Sequence, residues 1–414
     1  MSQQTPKSFR LQIGLFGRRN VGKSSLLNAL ARQSVSIVSD RAGTTTDPVE
    51  KSMEFLPLGP VLFIDTAGID DVGELGALRI EKTRTIFDRT DLGIIITEAN
   101  QWTTFEEQIL EALQKRKIPC LIVLNKIDLE EPSAATLAHL QTKKLPLVFV
   151  SIPQHIGLLN LREAILNTAP ESFFNNPIIL RDIVGPKEIV VQVMPIDNEA
   201  PKGRLLLPQV QAIRDALDGH AISVVVKESE FQTALDSLKH KPKLVVTDSS
   251  AFEQISRETP SGVLLTSFSI LFARLKGDLI SQVIDTLTLN QLKPGDRVLI
   301  SESCSHHPIT DDIGRVKVPR WMNRHVGGEL DIHVIQGHDF PKDLSTYRFV
   351  VLCGGCMFNR REILTRILRC REAGVPCSNY GLTIAHCLGI LERAIEPFPD
   401  ALAAYRSHSS SERR

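Results

Sequence analysis

The octet GRRNVGKS, residues 17–24, constrains the fold of this chain more than any other stretch. It follows the apolar run LQIGLF and precedes SSLLNALA, so a glycine-rich turn lies between a buried strand and a helix. The pattern GxxxxGK(S/T) in that setting lets backbone amides wrap phosphate groups. The candidate lining is Gly17, Asn20, Val21, Gly22, Lys23, Ser24 and Ser25. Lys23 reaches the terminal phosphates, and Ser24 offers its hydroxyl to magnesium. The expected fold class is α/β.

Three further elements follow in order. DTAG at 65–68 comes after the strand-like VLFI and places Asp65 to hold magnesium through water, with the Gly68 amide near the γ-phosphate. NKID at 125–128 follows LIVL; Asn125, Lys126 and Asp128 at that spacing can read a guanine edge, Asp128 accepting from the base N–H groups. GTTT at 43–46 occupies the polar segment between helix and strand, where a switch would lie. VSIPQHIG contributes Ser151 to a weaker fifth element. The ordered set resembles the translation-factor class of small GTPases, especially the Era- and TrmE-like members of ribosome assembly and tRNA modification. That resemblance makes Thr45 the switch threonine on magnesium and Asn20 the asparagine of potassium-dependent members. Lys23, Thr45, Asp65 and Gly68 are then the catalytic set for converting GTP to GDP and phosphate. Residues 69–71 are Ile, Asp and Asp, without the glutamine or histidine that orients water in many GTPases, so slow intrinsic hydrolysis is expected.

At 414 residues the chain exceeds one ordinary core, and its texture changes twice. Residues 1–170 alternate buried strands with helical stretches and end at a Pro- and Asn-rich linker. Residues 175–265 form a small α/β block, with EIVVQVMPI as a strand and PQVQAIRDALDG as a helix, and no polar cluster that calls for chemistry. Residues 266–414 open on SFSILFARLKGDLISQVIDTLTL, whose apolar residues fall at helical spacing, and continue through the strand RVLISE. Lys plus Arg and Asp plus Glu balance at 48 each, which points to neither a nucleic-acid nor a membrane surface. With no secretory leader or long apolar run, a cytoplasmic protein is expected.

Of seven cysteines, only Cys120 lies in the first half; the others crowd the segment after residue 303. CGGC at 353–356 has the spacing that lets two sulfurs face one metal, and its glycines permit a sharp turn. Alone it fits a redox pair, a zinc half-site or part of an iron–sulfur site. A helix beginning near Asn359 would favour thiolates at its start. Cys304 lies in the loop ESCSHHP just past RVLISE, with His306 two residues on. Three sulfurs are one short of the usual four of an iron–sulfur cluster, which leaves an open coordination position. Cys120, Cys370, Cys377 and Cys387 lie in apolar runs and read as packing residues.

A GTPase joined to a C-terminal CxH…CxxC module resembles the maturation GTPases of [FeFe]-hydrogenases over essentially the whole chain. The resemblance implies a [4Fe–4S] cluster on Cys304, Cys353 and Cys356, with His306 as a further candidate. It also implies a transient diiron precursor and a GTPase–dimerisation–cluster domain order, which makes 175–265 the homodimerisation domain and 266–414 the cluster-binding domain. The implied partners are apo-[FeFe]-hydrogenase and two radical-SAM maturases. Many members carry a histidine immediately before CxxC; this chain has Leu352 there. The competing reading is a zinc-containing switch GTPase of RNA modification or ribosome assembly.

Overall fold

The computed structural model describes residues 7–32, 37–41, 49–56, 58–66, 85–173, 178–196, 205–303 and 312–411. The chain forms two compact units, Met1–Pro177 and Ile178–Arg414.

In the first unit the described strands are β1 (Leu11–Phe16), β2 (Ile37–Arg41), β3 (Val49–Phe55), β4 (Gly59–Asp65), β5 (Leu92–Glu98), β6 (Cys120–Asn125) and β7 (Leu147–Val150). Among the described residues they make one sheet in the order β2-β3-β4-β1-β5-β6-β7, parallel except where β3 runs against β2 and β4. Strands β1, β5 and β6 read as continuous apolar runs because both sheet faces are covered. Leu11, Ile13 and Leu15 enter one core with Leu92, Ile94 and Ile96, while Phe16, Ile95 and Cys120 enter a second core. Parallel pairing brings the C-terminal ends of β1, β4, β6 and β7 to one edge of the sheet, which is where α/β sheets bind ligands.

The second unit holds two further parallel sheets. β8 (Ile189–Val193), β9 (Ile222–Val226), β10 (Leu244–Thr247) and β11 (Leu264–Ser267) pair in the order β11-β10-β8-β9. β12 (Arg297–Glu302), β13 (Asp331–Gln336), β14 (Phe349–Leu352) and β15 (Cys377–Asn379) pair as β13-β12-β14-β15. The expected order of a P-loop α/β domain followed by two more α/β domains is the observed one.

One element differs from the sequence expectation. The helical periodicity of 267–289 is split into two helices, Phe268–Lys276 and Leu279–Leu287. Gly277 leaves the helical region at φ −108°, ψ −150°, and the Asp278 side chain accepts from the Ser281 amide at 3.2 Å to start the second helix. The break matters because it aims Lys276 inward.

Candidate functional site

The nucleotide site begins where β1 ends. Gly22 has φ +98°, and a Cβ there would come within 2.3 Å of the Asn125 amide nitrogen, so only glycine lets the loop approach β6 this closely. Asn125 Nδ2 donates to the Val21 carbonyl at 2.8 Å. The Lys23 ammonium donates to the carbonyls of Gly17 and Arg18, at 2.8 and 2.6 Å, and is itself buried. Ser24 Oγ donates to Asp65 Oδ2 at 2.5 Å, which puts the two candidate magnesium groups in contact across β1 and β4. Burial pushes the Asp65 carboxyl pKa up, opposed by the Ser24 hydrogen bond and the Lys23 charge. A divalent ion at this pair would supply the missing positive charge.

The base end is equally defined. Asn125 is the last residue of β6, and Lys126, at φ 61°, turns the chain so that its ammonium meets Glu98 at 2.5 Å. Asn125 Oδ1 and Asp128 Oδ1 are buried without a hydrogen-bond partner. Two orphaned acceptors are costly unless a ligand brings donors. The N1–H and exocyclic amino edge of guanine brings them; adenine presents an acceptor at N1 instead. Ser151 is fully buried just beyond β7, its amide bonded to the Ile156 carbonyl at 3.2 Å. Val21 is buried, while Asn20 on the loop, at φ 63°, and Ser25 in the first turn of the helix Lys23–Arg32 are exposed. Thr45 and Gly68 lie outside the described residues.

The sulfur site lies at the C-terminal ends of β12 and β14. These strands pair in parallel, Ser301 against Leu352, so the residues just past each strand become neighbours. The Ser303 amide donates to Cys353 Sγ at 3.1 Å, and Ser303 Oγ lies 4.0 Å from Cys356 Sγ. Ser303 thus touches both sulfurs of CGGC, and Cys304 is the next residue. Cys304 and His306 themselves lie outside the described residues. Among the described residues no group of three His, Cys, Asp or Glu side chains is arranged to hold a metal. Leu352 is buried in the core, so the position before CxxC supplies packing.

The turn itself follows the expectation from its glycines. Gly355 has φ +64°, and its amide donates to Cys353 Sγ at 3.4 Å. Asn359 caps the helix Arg360–Glu372 by accepting from the Glu362 amide at 3.1 Å. Burial, then the neighbouring Cys356 sulfur, pushes the Cys353 thiol pKa up. Such a thiol ionises readily only when a cation or metal compensates it.

Two buried cations supply part of that compensation, and sequence reading missed both. Lys276 Nζ donates to the carbonyls of Gly355 and Phe358, each at 2.8 Å. Arg366, in the basic run NRREILTRILRCR, donates to Ser301 Oγ at 2.5 Å, Gly337 O at 2.7 Å and Glu362 Oε1 at 3.0 Å. It also stacks over Phe358 and Phe340. Neither set of backbone contacts leaves a local sequence signal, because the carbonyl partners lie 29 to 82 residues away. Cys120, Cys370 and Cys377 are buried and Cys387 half-buried, as expected for packing residues.

Residues 12–126 match the family of 50S ribosome-binding GTPases. Residues 179–277 match the hydrogen maturase F dimerization domain, and residues 280–397 the hydrogen maturase F tetramerization domain. Among curated relatives, GTPase Der of Nitratiruptor sp. is 38% identical over 131 residues, 31% of this chain and 28% of that one. The tRNA modification GTPase MnmE of Alkaliphilus oremlandii is 36% identical over 155 residues, 36% of this chain and 32% of that one. The chain therefore spans less than a third of the length of these relatives. Among solved structures, an Aquifex aeolicus Era variant bound to GDP and AlF4− matches with TM-score 0.34 and 20% identity, over 60% of this chain and 97% of that one. No helix among the described residues is long and apolar enough to cross a membrane.

Proposed function

Because the chain has hydrogen maturase F architecture, a P-loop GTPase domain joined to that family's dimerisation and tetramerisation domains, we propose that it is a GTP-hydrolysing scaffold for hydrogenase maturation. In this reading Cys304, Cys353 and Cys356 hold a [4Fe–4S] cluster, and the protein passes a diiron precursor to immature [FeFe]-hydrogenase. The observation that carries the reading is Ser303. It contacts both CGGC sulfurs and is the residue that precedes Cys304 in the sequence. The donor set fits an iron–sulfur group: soft thiolates, backbone amides aimed at sulfur, and buried cations close by. Bound there, such a group would offer an iron position not taken by cysteine, where His306, water or a bridging ligand could sit.

The nucleotide half would act as a switch, with Ser24 and Thr45 on magnesium, Asn20 on potassium, and GTP turnover altering partner affinity rather than making bonds at iron. The support is the orphaned acceptors at Asn125 and Asp128 together with the Ser24–Asp65 contact. Homodimerisation would run through residues 179–277, where β9 forms a sheet edge with Ile222 and Val225 exposed. In this reading its partners are two radical-SAM maturases and the apo-hydrogenase.

The test is anaerobic reconstitution with iron and sulfide, followed by reduction and electron paramagnetic resonance. A signal of a reduced [4Fe–4S] cluster is expected in the native protein and absent from a Cys304→Ser, Cys353→Ser, Cys356→Ser variant. A tightly retained zinc ion with no such signal would overturn the reading in favour of a zinc-containing switch GTPase.

A further inference from the structure

Lys276 is 2% exposed, on the last turn of the helix Phe268–Lys276. A buried ammonium is costly unless anions and dipoles compensate it. The carbonyls of Gly355 and Phe358 satisfy two of its protons, and the Phe272 ring lies 5.4 Å away. The sulfurs of Cys356 and Cys353 lie close enough to act on its charge.

The two carbonyls also have a mechanical meaning. Gly355 precedes Cys356, and Phe358 precedes the cap Asn359. One ammonium therefore ties the middle of the CGGC turn to the start of the following helix. Breaking that tie would loosen Cys356 relative to Cys353.

We propose that Lys276 is a positioning residue of the metal site, fixing the Cys353–Cys356 turn through Gly355 and Phe358 and setting a positive charge against the sulfurs and the anionic group they bind. The inference rests on the cluster reading above. Adding an electron to an iron–sulfur group makes its site more negative by one charge, so a fixed neighbouring cation favours the reduced form. Burial pulls the Lys276 pKa down to about 8 while the sulfurs hold it up, in keeping with a charge that depends on its anionic neighbours.

The experiment compares native protein, Lys276→Met and Lys276→Arg, each reconstituted anaerobically with iron and sulfide, by metal content and by redox titration followed with electron paramagnetic resonance. Lys276→Met is expected to shift the midpoint potential to more negative values or to lose loading, and Lys276→Arg to stay near native. Circular dichroism checks the fold; should the Met variant unfold, Lys276→Gln, neutral but still a donor, takes its place. Native potential and native loading in the neutral variant would overturn the assignment of Lys276 alone. So would equal loss in the Met and Arg variants. A native protein that takes up neither iron nor sulfide would overturn the cluster reading, and the Lys276 assignment with it.

Discussion

Asn125 hands its side-chain amide to the carbonyl of Val21 at 2.8 Å, joining the NKID segment to the phosphate-binding loop across 104 residues of sequence. The two ends of the nucleotide site are thereby one mechanical unit. Change at either end should be felt at the other.

The first consequence concerns base choice. Asp128 Oδ1 is a buried acceptor without a partner until a base supplies donors. Asp128→Asn replaces an acceptor by a donor facing the guanine amino edge. GTP affinity should fall by about 100-fold or more. Xanthosine triphosphate, which offers an acceptor at C2, should recover a large part of that loss. Titration with fluorescent analogues of both nucleotides checks this, and equal weakening toward both would refute it.

Gly22→Ala tests the close approach itself. The added Cβ would lie 2.3 Å from Asn125 Nδ2 at a backbone angle of φ +98°. Strain of this kind costs about 1–3 kcal/mol. The variant should lose nucleotide binding and melt earlier, while the anaerobic iron loading proposed for the other compact unit stays native. Calorimetry for GTP and an iron assay on the same sample separate the two effects.

A pH dependence should arise from His386. Burial, then the neighbouring His325, lowers its pKa from 6.5 to about 4. Between those values the unfolded chain binds a proton that the fold refuses. Its contribution is therefore full above pH 6.5 and is lost as pH falls toward about 4. The slope is at most about 1.4 kcal/mol per pH unit, and partial exposure of the ring makes it smaller. His386→Gln keeps a donor for Asn290 Oδ1, which His386 meets at 2.9 Å, and removes the titration. Melting at pH 7.5 and pH 5 should show a smaller acid loss in the variant; parallel losses would rule His386 out.

The edge strand β9 gives a prediction about assembly. Ile222 and Val225 are 51% and 44% exposed on a strand that, among the described residues, has one free side in its sheet. Val225→Lys places a charge on that edge, the device by which sheets avoid pairing. Light scattering after size exclusion should show a dimer weakened at least 10-fold in dissociation constant. An unchanged mass across a dilution series would move the interface elsewhere.

The nucleotide site was legible in the sequence because each of its parts is contiguous: a strand, a loop of fixed spacing, and a helix. Gly22, Lys23, Ser24, Asp65 and Asn125 stand where their motifs put them, at the strand ends of one sheet. Thr45 and Gly68 lie outside the described residues. The C-terminal site was legible only in part. CGGC followed by an Asn-capped helix is a local pattern, and it formed as expected. Lys276 was not readable, because the periodicity of 267–289 runs on through Gly277 and makes that lysine look like one more solvated position. Arg366 sits in a run with the look of a solvated or partner-facing helix surface. Yet its contacts with Ser301 and Gly337 bury it against strand ends far away in sequence. Both misses have one cause: burial of a long cation is decided by which strands pair, and no window of sequence contains that information.

The parallel pairing of β12 with β14 also orders events during synthesis. Every motif of the nucleotide pocket has emerged once Ser151 leaves the ribosome, and all of them belong to the compact unit Met1–Pro177. Ser303 cannot meet the CGGC sulfurs until β14 has joined β12 and Cys356 has followed, more than 200 residues later by the chain's own numbering. Domains of a nascent chain fold largely in that N-to-C order. A growing or prematurely ended chain thus has its nucleotide motifs long before the CGGC turn can close on Ser303, and under the proposed function the cell meets the switch before it meets the cluster site.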